Sequence, residues 1–156
     1  MKTVNEVMQE VINSIGMHIK LYEVNVLTLM SEQVEDGIVV VSGDYDEDSD
    51  EVNLYFITSK NRESVFEDGR DRGSLAVRHE AIKTIKHEDV HRAQAADGLD
   101  TTLDKNLTRE EYLMAPTEFE AYTLIDIPMD LEFYGSSYEL DEYLAMGVVT
   151  REQFDA

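Results

Sequence analysis

His87, Glu88 and His91 stand in the spacing H-E-x-x-H within the stretch IKHEDVHRAQ, residues 85–94. Side chains four apart on an α-helix point the same way. Two imidazoles in that register can hold one zinc ion, with the neighbouring carboxylate in reach of a water that the ion binds. The ion lowers the pKa of that water, and Glu88 can take its proton and deliver it to a leaving amine. The pattern therefore points to metal-assisted hydrolysis, on two conditions. It must lie on a helix, and a third protein ligand must exist that leaves one coordination position open.

The first condition is met by pattern. A long helix is expected from about Ser74, an acceptable N-cap, to about Ala96, with Asp97-Gly98 as its stop. At about 100° per residue, Leu75, Ile82, Ile85, Ala93 and Ala96 form an apolar stripe, interrupted by Arg78 and Asp89. His87 and His91 lie on nearly the opposite side, with Glu80 and Thr84 beside them. A carboxylate inside an apolar stripe is costly unless paired, so Asp89 is expected to be partly buried and hydrogen-bonded by another element. His79 falls off the direction of His87 and reads as a surface or packing histidine; His18 carries no assignment.

TIKHEDVHRAQ followed by APTEFEAYTLI resembles the zincin metallopeptidases in their gluzincin form, including small phage-encoded zincins and the ImmA/IrrE-like peptidases. The resemblance runs from Thr84 to about Leu124. It implies a minimal zincin-like α+β domain, a peptide-bond hydrolase, a zinc cofactor held by His87, His91 and a glutamate on a later helix, and Glu88 as general base and then general acid. Glu118 and Glu120 both occur in the second block. They diverge by about 200° on a helix, so one at most faces the metal. Thr117 and Glu120 have the form of a capping box, which leaves Glu118 as the expected ligand and Glu120 as the alternative. The family often steadies the oxyanion with a Tyr or His, and Tyr112, Tyr122, Tyr134 and Tyr138 are candidates. It also implies that the strand around Leu54–Ile57 is an edge along which a peptide pairs. Asp89 and Arg92 depart from the family's preference for uncharged residues between and after the histidines, which leaves open a metal-binding scaffold with little turnover.

The remaining elements must carry this helix. Residues 3–15 are helical by spacing, and 17–31 mixes helical and strand signals. GIVVVSGDY and EVNLYFITS read as two strands of a hairpin joined by the acidic DYDEDSDE. That loop lacks the turn glycine and terminal glutamate of an EF-hand, so it reads as an exposed acidic turn. Residues 60–73 read as loop. TREE at 108–111 and TEFE at 117–120 each open a short helix, the second ended by Pro128. SSYELDEYLAMG reads as a capped helix closed by Gly147, and TREQF as a final turn packing on the core. The whole is expected to be one α+β domain spanning 1–156.

Composition narrows the partners. The 156 residues carry a formal charge of −21, no cysteine and four histidines. Disulfides and thiolate metal sites are excluded, and any metal must be held by His and carboxylate. Such a charge opposes nucleic-acid binding and favours a solvated surface, a basic peptide or protein substrate, or mimicry of DNA towards a DNA-binding protein. No apolar run reaches the ~18 residues of a membrane span. The stretch MKTVNEVMQE turns acidic and polar at once, unlike a signal peptide. A cytoplasmic setting is expected, with a phage-encoded or virion-associated protein as the variant suggested by the resemblance.

Overall fold

The computed structural model of the chain describes residues 2–3, 23–30, 39–58, 64–66 and 72–154. In order they form β1 (Lys2–Thr3), β2 (Glu23–Met30), β3 (Val39–Asp46), β4 (Glu51–Thr58), β5 (Ser64–Phe66), α1 (Arg72–Ala96), α2 (Arg109–Met114), α3 (Pro116–Ala121), a π-helical turn (Tyr122–Asp126), α4 (Ile127–Tyr134), α5 (Tyr138–Met146) and a 3-10 turn (Arg151–Phe154). The architecture is α+β, as expected. Contacts gather into two compact units, Met1–Glu88 and Asp89–Ala156, and the boundary falls inside the continuous helix α1. Among the described residues no helix is long and apolar enough to cross a membrane. The helix expected over residues 3–15 lies outside the described residues except for Thr3, which is in β1.

In the first unit, β3 and β4 form the expected antiparallel hairpin, with Gly43 opposite Leu54 and Tyr45 opposite Val52. Side chains alternate across a strand, and burial follows the alternation. Val52 and Leu54 are fully buried, while Asp44 on β3 is exposed. The acidic turn satisfies its own carboxylates. Asp46 Oδ1 accepts from the backbone N–H of Asp48 and Ser49, and Tyr45 Oη donates to Asp50 at 2.7 Å. Asp44 accepts from Asn53 Nδ2 at 2.7 Å and Tyr55 Oη at 2.9 Å, and that bond holds the Tyr55 phenol above its ordinary pKa.

Two expectations are corrected here. The strand around Leu54–Ile57 is not an edge: β4 is the centre of a sheet ordered β2-β4-β3, parallel to β2 and antiparallel to β3. The ambiguous segment 17–31 resolves over Glu23–Met30 into the strand that covers it, consistent with its run of β-branched residues. The segment 60–73 is not all loop either, since Ser64–Phe66 pairs with Lys2–Thr3 and α1 begins at Arg72.

β3 meets α1 through a glycine. A Cβ on Gly43 would lie 2.5 Å from Thr84 Cγ2, 3.0 Å from the Asn53 carbonyl oxygen and 3.5 Å from Glu88 Cγ. Only glycine lets the strand approach this face of the helix. Thr84 is itself fixed, its Oγ1 donating to the Glu80 carbonyl at 2.7 Å.

In the second unit, Leu113, Ile127, Leu140, Tyr143 and Val149 make a buried cluster, with Phe119, Tyr122, Leu131 and Phe154 packed against it. Tyr143 donates to the Leu113 carbonyl at 2.7 Å and meets Phe119 edge-on at 5.2 Å. The Thr108–Glu111 capping box is present, as is the Ser137 cap that accepts from Leu140 N–H. Gly98 and Gly147 end α1 and α5 with φ of 84° and 72°, the left-handed stops expected of them. The C-terminal turn packs on the core through Val149 and Phe154.

The second capping box does not form. α3 starts two residues earlier, with Ala115 as N-cap and Pro116 in its first turn, and no side chain caps it. Nor does Pro128 end the helix. Helical backbone runs on to Tyr134 because the turn before the proline is wide, with Ile127 N–H donating to the Tyr122 carbonyl five residues back. A π turn moves the backbone away from the clash and missing hydrogen bond that proline brings to a regular helix.

The Gly43 contact is testable. Gly43→Ala should lower stability by about 1–3 kcal/mol in urea unfolding, as overpacking does. Adding Thr84→Ser, which removes Cγ2 but keeps the hydroxyl, should recover part of that loss.

Candidate metal centre

α1 carries the motif in its C-terminal half, and burial there does not follow the expected stripe. Leu75, Ala93 and Ala96 are exposed, while His79, Lys83, His87, Glu88, His91 and Gln94 are buried beside Val77, Ala81, Ile85 and Val90. Polar groups inside a helix–core contact must be satisfied. Lys83 Nζ pairs with Glu80 Oε2 at 2.8 Å. Asp89 is half-exposed, and its ion-pair partner is Arg92 one turn on, at 3.9 Å. The two charged departures from the motif thus face each other on one helix, where hydrogen bonding from another element was expected. His79, read as a surface or packing histidine, is buried, and its ring lies within 4.8 Å of carboxylate oxygens of Glu80 and Asp130, a second group that could hold a metal ion.

His87, Glu88 and His91 are exposed by 6%, 8% and 6%. Glu118, on α3, is equally buried, and its Oε1 lies 2.8 Å from His91 Nε2. The candidate ligand atoms of His87, His91 and Glu118 all lie within 4.8 Å of one another, close enough to hold a metal ion. Glu120 is not among them. It is exposed, and its Oε1 accepts from Gln94 Nε2 at 3.2 Å. The structure therefore separates the two glutamates as their angular divergence requires, with Glu118 on the histidines and Glu120 on the amide.

The donor set suits a divalent ion. Two imidazole nitrogens and one carboxylate oxygen are the ligands of a catalytic site with one position left open, and zinc accepts them best without excluding other divalent metals. A buried carboxylate beside a buried imidazole is costly unless its charge is balanced, by a proton on the ring or by a cation.

Supporting residues fill the surroundings. Gln94 Oε1 lies 2.9 Å from His91 Nδ1, and Gln94 Nε2 donates to the Thr117 carbonyl at 3.0 Å. Of the four candidate tyrosines, two feel the charge of Glu118. Burial, with Tyr122 and then the Glu118 carboxylate as further causes, pushes the Tyr112 phenol well up. Tyr122, which contacts the Tyr112 hydroxyl at 3.4 Å, is pushed up to about 12, chiefly by burial. Tyr134 and Tyr138 are exposed by 47% and 75%. A cavity of about 340 Å³ lies beside the Gln94 amide, walled by Leu99, Leu103, Ala115 and Pro116, with Thr117 and Glu120 adding polar groups.

Gln94 was not singled out by the sequence. The signal available was its place three residues after His91, a lone amide in the alanine-rich turn RAQAA. No protein-family model, curated protein or solved structure matches the chain.

Elemental analysis after loading with a divalent metal should find about one ion per chain, lost in His87→Ala, His91→Ala and Glu118→Ala and kept in Glu120→Ala. Retention in Glu118→Ala with loss in Glu120→Ala would reverse the assignment. The tyrosines set an alkaline limit. Because the Tyr122 phenol ionises near 12 in the fold and near 10 when unfolded, the unfolded chain binds fewer protons between those values. Stability present below pH ~10 should fall as pH rises towards ~12, less steeply in Tyr122→Phe.

Proposed function

We propose that the chain is a zinc metallopeptidase of gluzincin type on a zincin-like α+β scaffold. The observation that carries this reading is the convergence of His87, His91 and Glu118, all buried, with Glu88 buried next to them on α1. His87, His91 and Glu118 hold the ion. The zinc supplies Lewis acidity, activating water and polarising the scissile carbonyl.

The chain's own groups do the rest. The Glu88 carboxylate takes a proton from the attacking water and passes it to the leaving nitrogen as the C–N bond breaks. The Tyr112 phenol keeps its proton at any physiological pH, so it adds no negative charge near Glu118. β3 supports substrate alignment better than β4. It flanks the three-stranded sheet, and Gly43 brings its backbone against Glu88. A peptide adding to that edge would run past the general base.

The charge of −21 points to basic substrates, since an acidic surface concentrates cations around it and speeds their arrival. Glu88→Gln should keep zinc and lower hydrolysis of a lysine-rich peptide library by about 100-fold or more, the usual worth of a general base. Full hydrolysis by the variant would exclude the mechanism. Zinc binding without hydrolysis by the unmodified protein would leave a metal-holding scaffold with a binding role.

A further inference from the structure

Three polar groups meet at the side-chain amide of Gln94, which is 3% exposed. Its nitrogen faces the Thr117 carbonyl oxygen at 3.0 Å and Glu120 Oε1 at 3.2 Å. Its oxygen faces His91 Nδ1 at 2.9 Å. The inventory of donors settles the orientation. A backbone carbonyl and an ionised carboxylate can only accept, so the amide nitrogen must point at them. The amide oxygen is then the group on the imidazole, and an amide oxygen cannot donate. His91 Nδ1 therefore carries the hydrogen, and Nε2 is the nitrogen directed at Glu118, 2.8 Å away.

We infer that Gln94 is a positioning residue that locks the His91 ring with Nδ1 protonated and Nε2 turned into the metal centre. The inference rests on the metal site of the proposed function for its purpose, though the ring state is readable without metal. Gln94 does two things at once. It fixes one histidine ligand on α1, and it grips α3 at Thr117 and Glu120, the residues on either side of the Glu118–Phe119 pair. One amide thus spaces two ligands that lie far apart in sequence.

The residue type follows from this double duty. A carboxylate at position 94 would accept from Nδ1 but could not donate to Thr117, and it would repel Glu120. An apolar side chain could do neither, and asparagine is a methylene too short for the same span. Outer partners of this kind set both the tautomer and the basicity of a ligating histidine.

The test compares Gln94→Met with the exchanged pair Gln94→Glu/Glu120→Gln. In the exchanged pair the carboxylate at 94 accepts from His91 Nδ1, and the amide at 120 donates to it, so the ring keeps its partner. Long-range ¹H–¹⁵N spectra of the metal-free protein read the ring, with the His91 signals assigned by their loss in His91→Ala. The unmodified protein and the exchanged pair should show His91 protonated at Nδ1. Gln94→Met should lose that state, while the other histidine signals and the melting curve confirm the fold. Zinc titrated against a chromophoric chelator should bind about 10- to 100-fold more weakly to Gln94→Met, and the exchanged pair should recover most of the loss.

An unchanged His91 signal in Gln94→Met would overturn the inference, as would an exchanged pair whose ring matches the Met variant. Should Gln94→Met not fold, the exchanged pair decides alone through its ring signal. Absence of zinc binding in the unmodified protein would defeat the metal reading, and the ring spectra would still decide whether Gln94 sets the tautomer.

Discussion

The contact between His91 and Glu118 is the constraint around which the described part of the second unit is arranged. Two ionisable side chains, each almost wholly removed from water, approach to 2.8 Å. Neither group tolerates that setting alone, since removing a charge from water costs several kcal/mol unless a partner is fixed opposite. The fold supplies a fixing group behind the imidazole, the Gln94 amide, which also holds the Thr117 carbonyl next to Glu118. These elements are in turn held by ordinary means. Thr108 and Glu111 start α2 with a reciprocal cap, Arg109 forms a two-pronged bond to Glu142 on α5, and Tyr143 ties α5 back to the Leu113 carbonyl. Packing and capping thus serve a polar pair that would otherwise be a defect.

The first unit is organised around the two faces of its hairpin. Period-two burial on β3 and β4 puts Val52 and Leu54 inward and leaves the Asp44–Asn53–Tyr55 network on the other face. The missing side chain at Gly43 sets how near β3 comes to Thr84 and Glu88. The Glu88 side chain is therefore bounded on one side. Here the wall is a strand backbone, whose N–H and C=O groups are themselves hydrogen-bonding partners for an extended chain.

The parts legible in the sequence are those governed by local rules. The hairpin strands, the span of α1, the Thr108 box, the Ser137 cap and the left-handed glycines depend on neighbours within a few residues, and all are present. The choice of Glu118 over Glu120 was also within reach, because helical angle alone forbids both from facing one point. The reasons offered for it fared less well: Thr117 and Glu120 form no capping box, and Glu120 is engaged by Gln94 instead. What was not legible depends on partners remote in sequence. The apolar stripe failed at Leu75, Ala93 and Ala96 because α1 buries polar residues, and those are stabilised by groups that a helical wheel does not contain. β4 was placed at an edge because nothing local announces that β2 will pair with it in parallel. Gln94 escaped notice because two of its three bonds reach across to Thr117 and Glu120.

The wide turn at Tyr122–Asp126 has a consequence for how this region can vary. A π turn is equivalent to one residue added to an α-helix, so the helical phase after it is offset by about 100° from the phase before it. Phe119 and Tyr122 on one side, and Ile127 and Leu131 on the other, reach the same buried cluster only because of that offset. Deleting a single residue from 122–126 would let hydrogen bonding run as a regular α-helix up to Pro128, yet it would swing Ile127 and Leu131 away from the core. A related chain that keeps this packing must therefore keep the extra residue, and a comparison of sequences by heptad or wheel across 116–134 would slip by one position at this point.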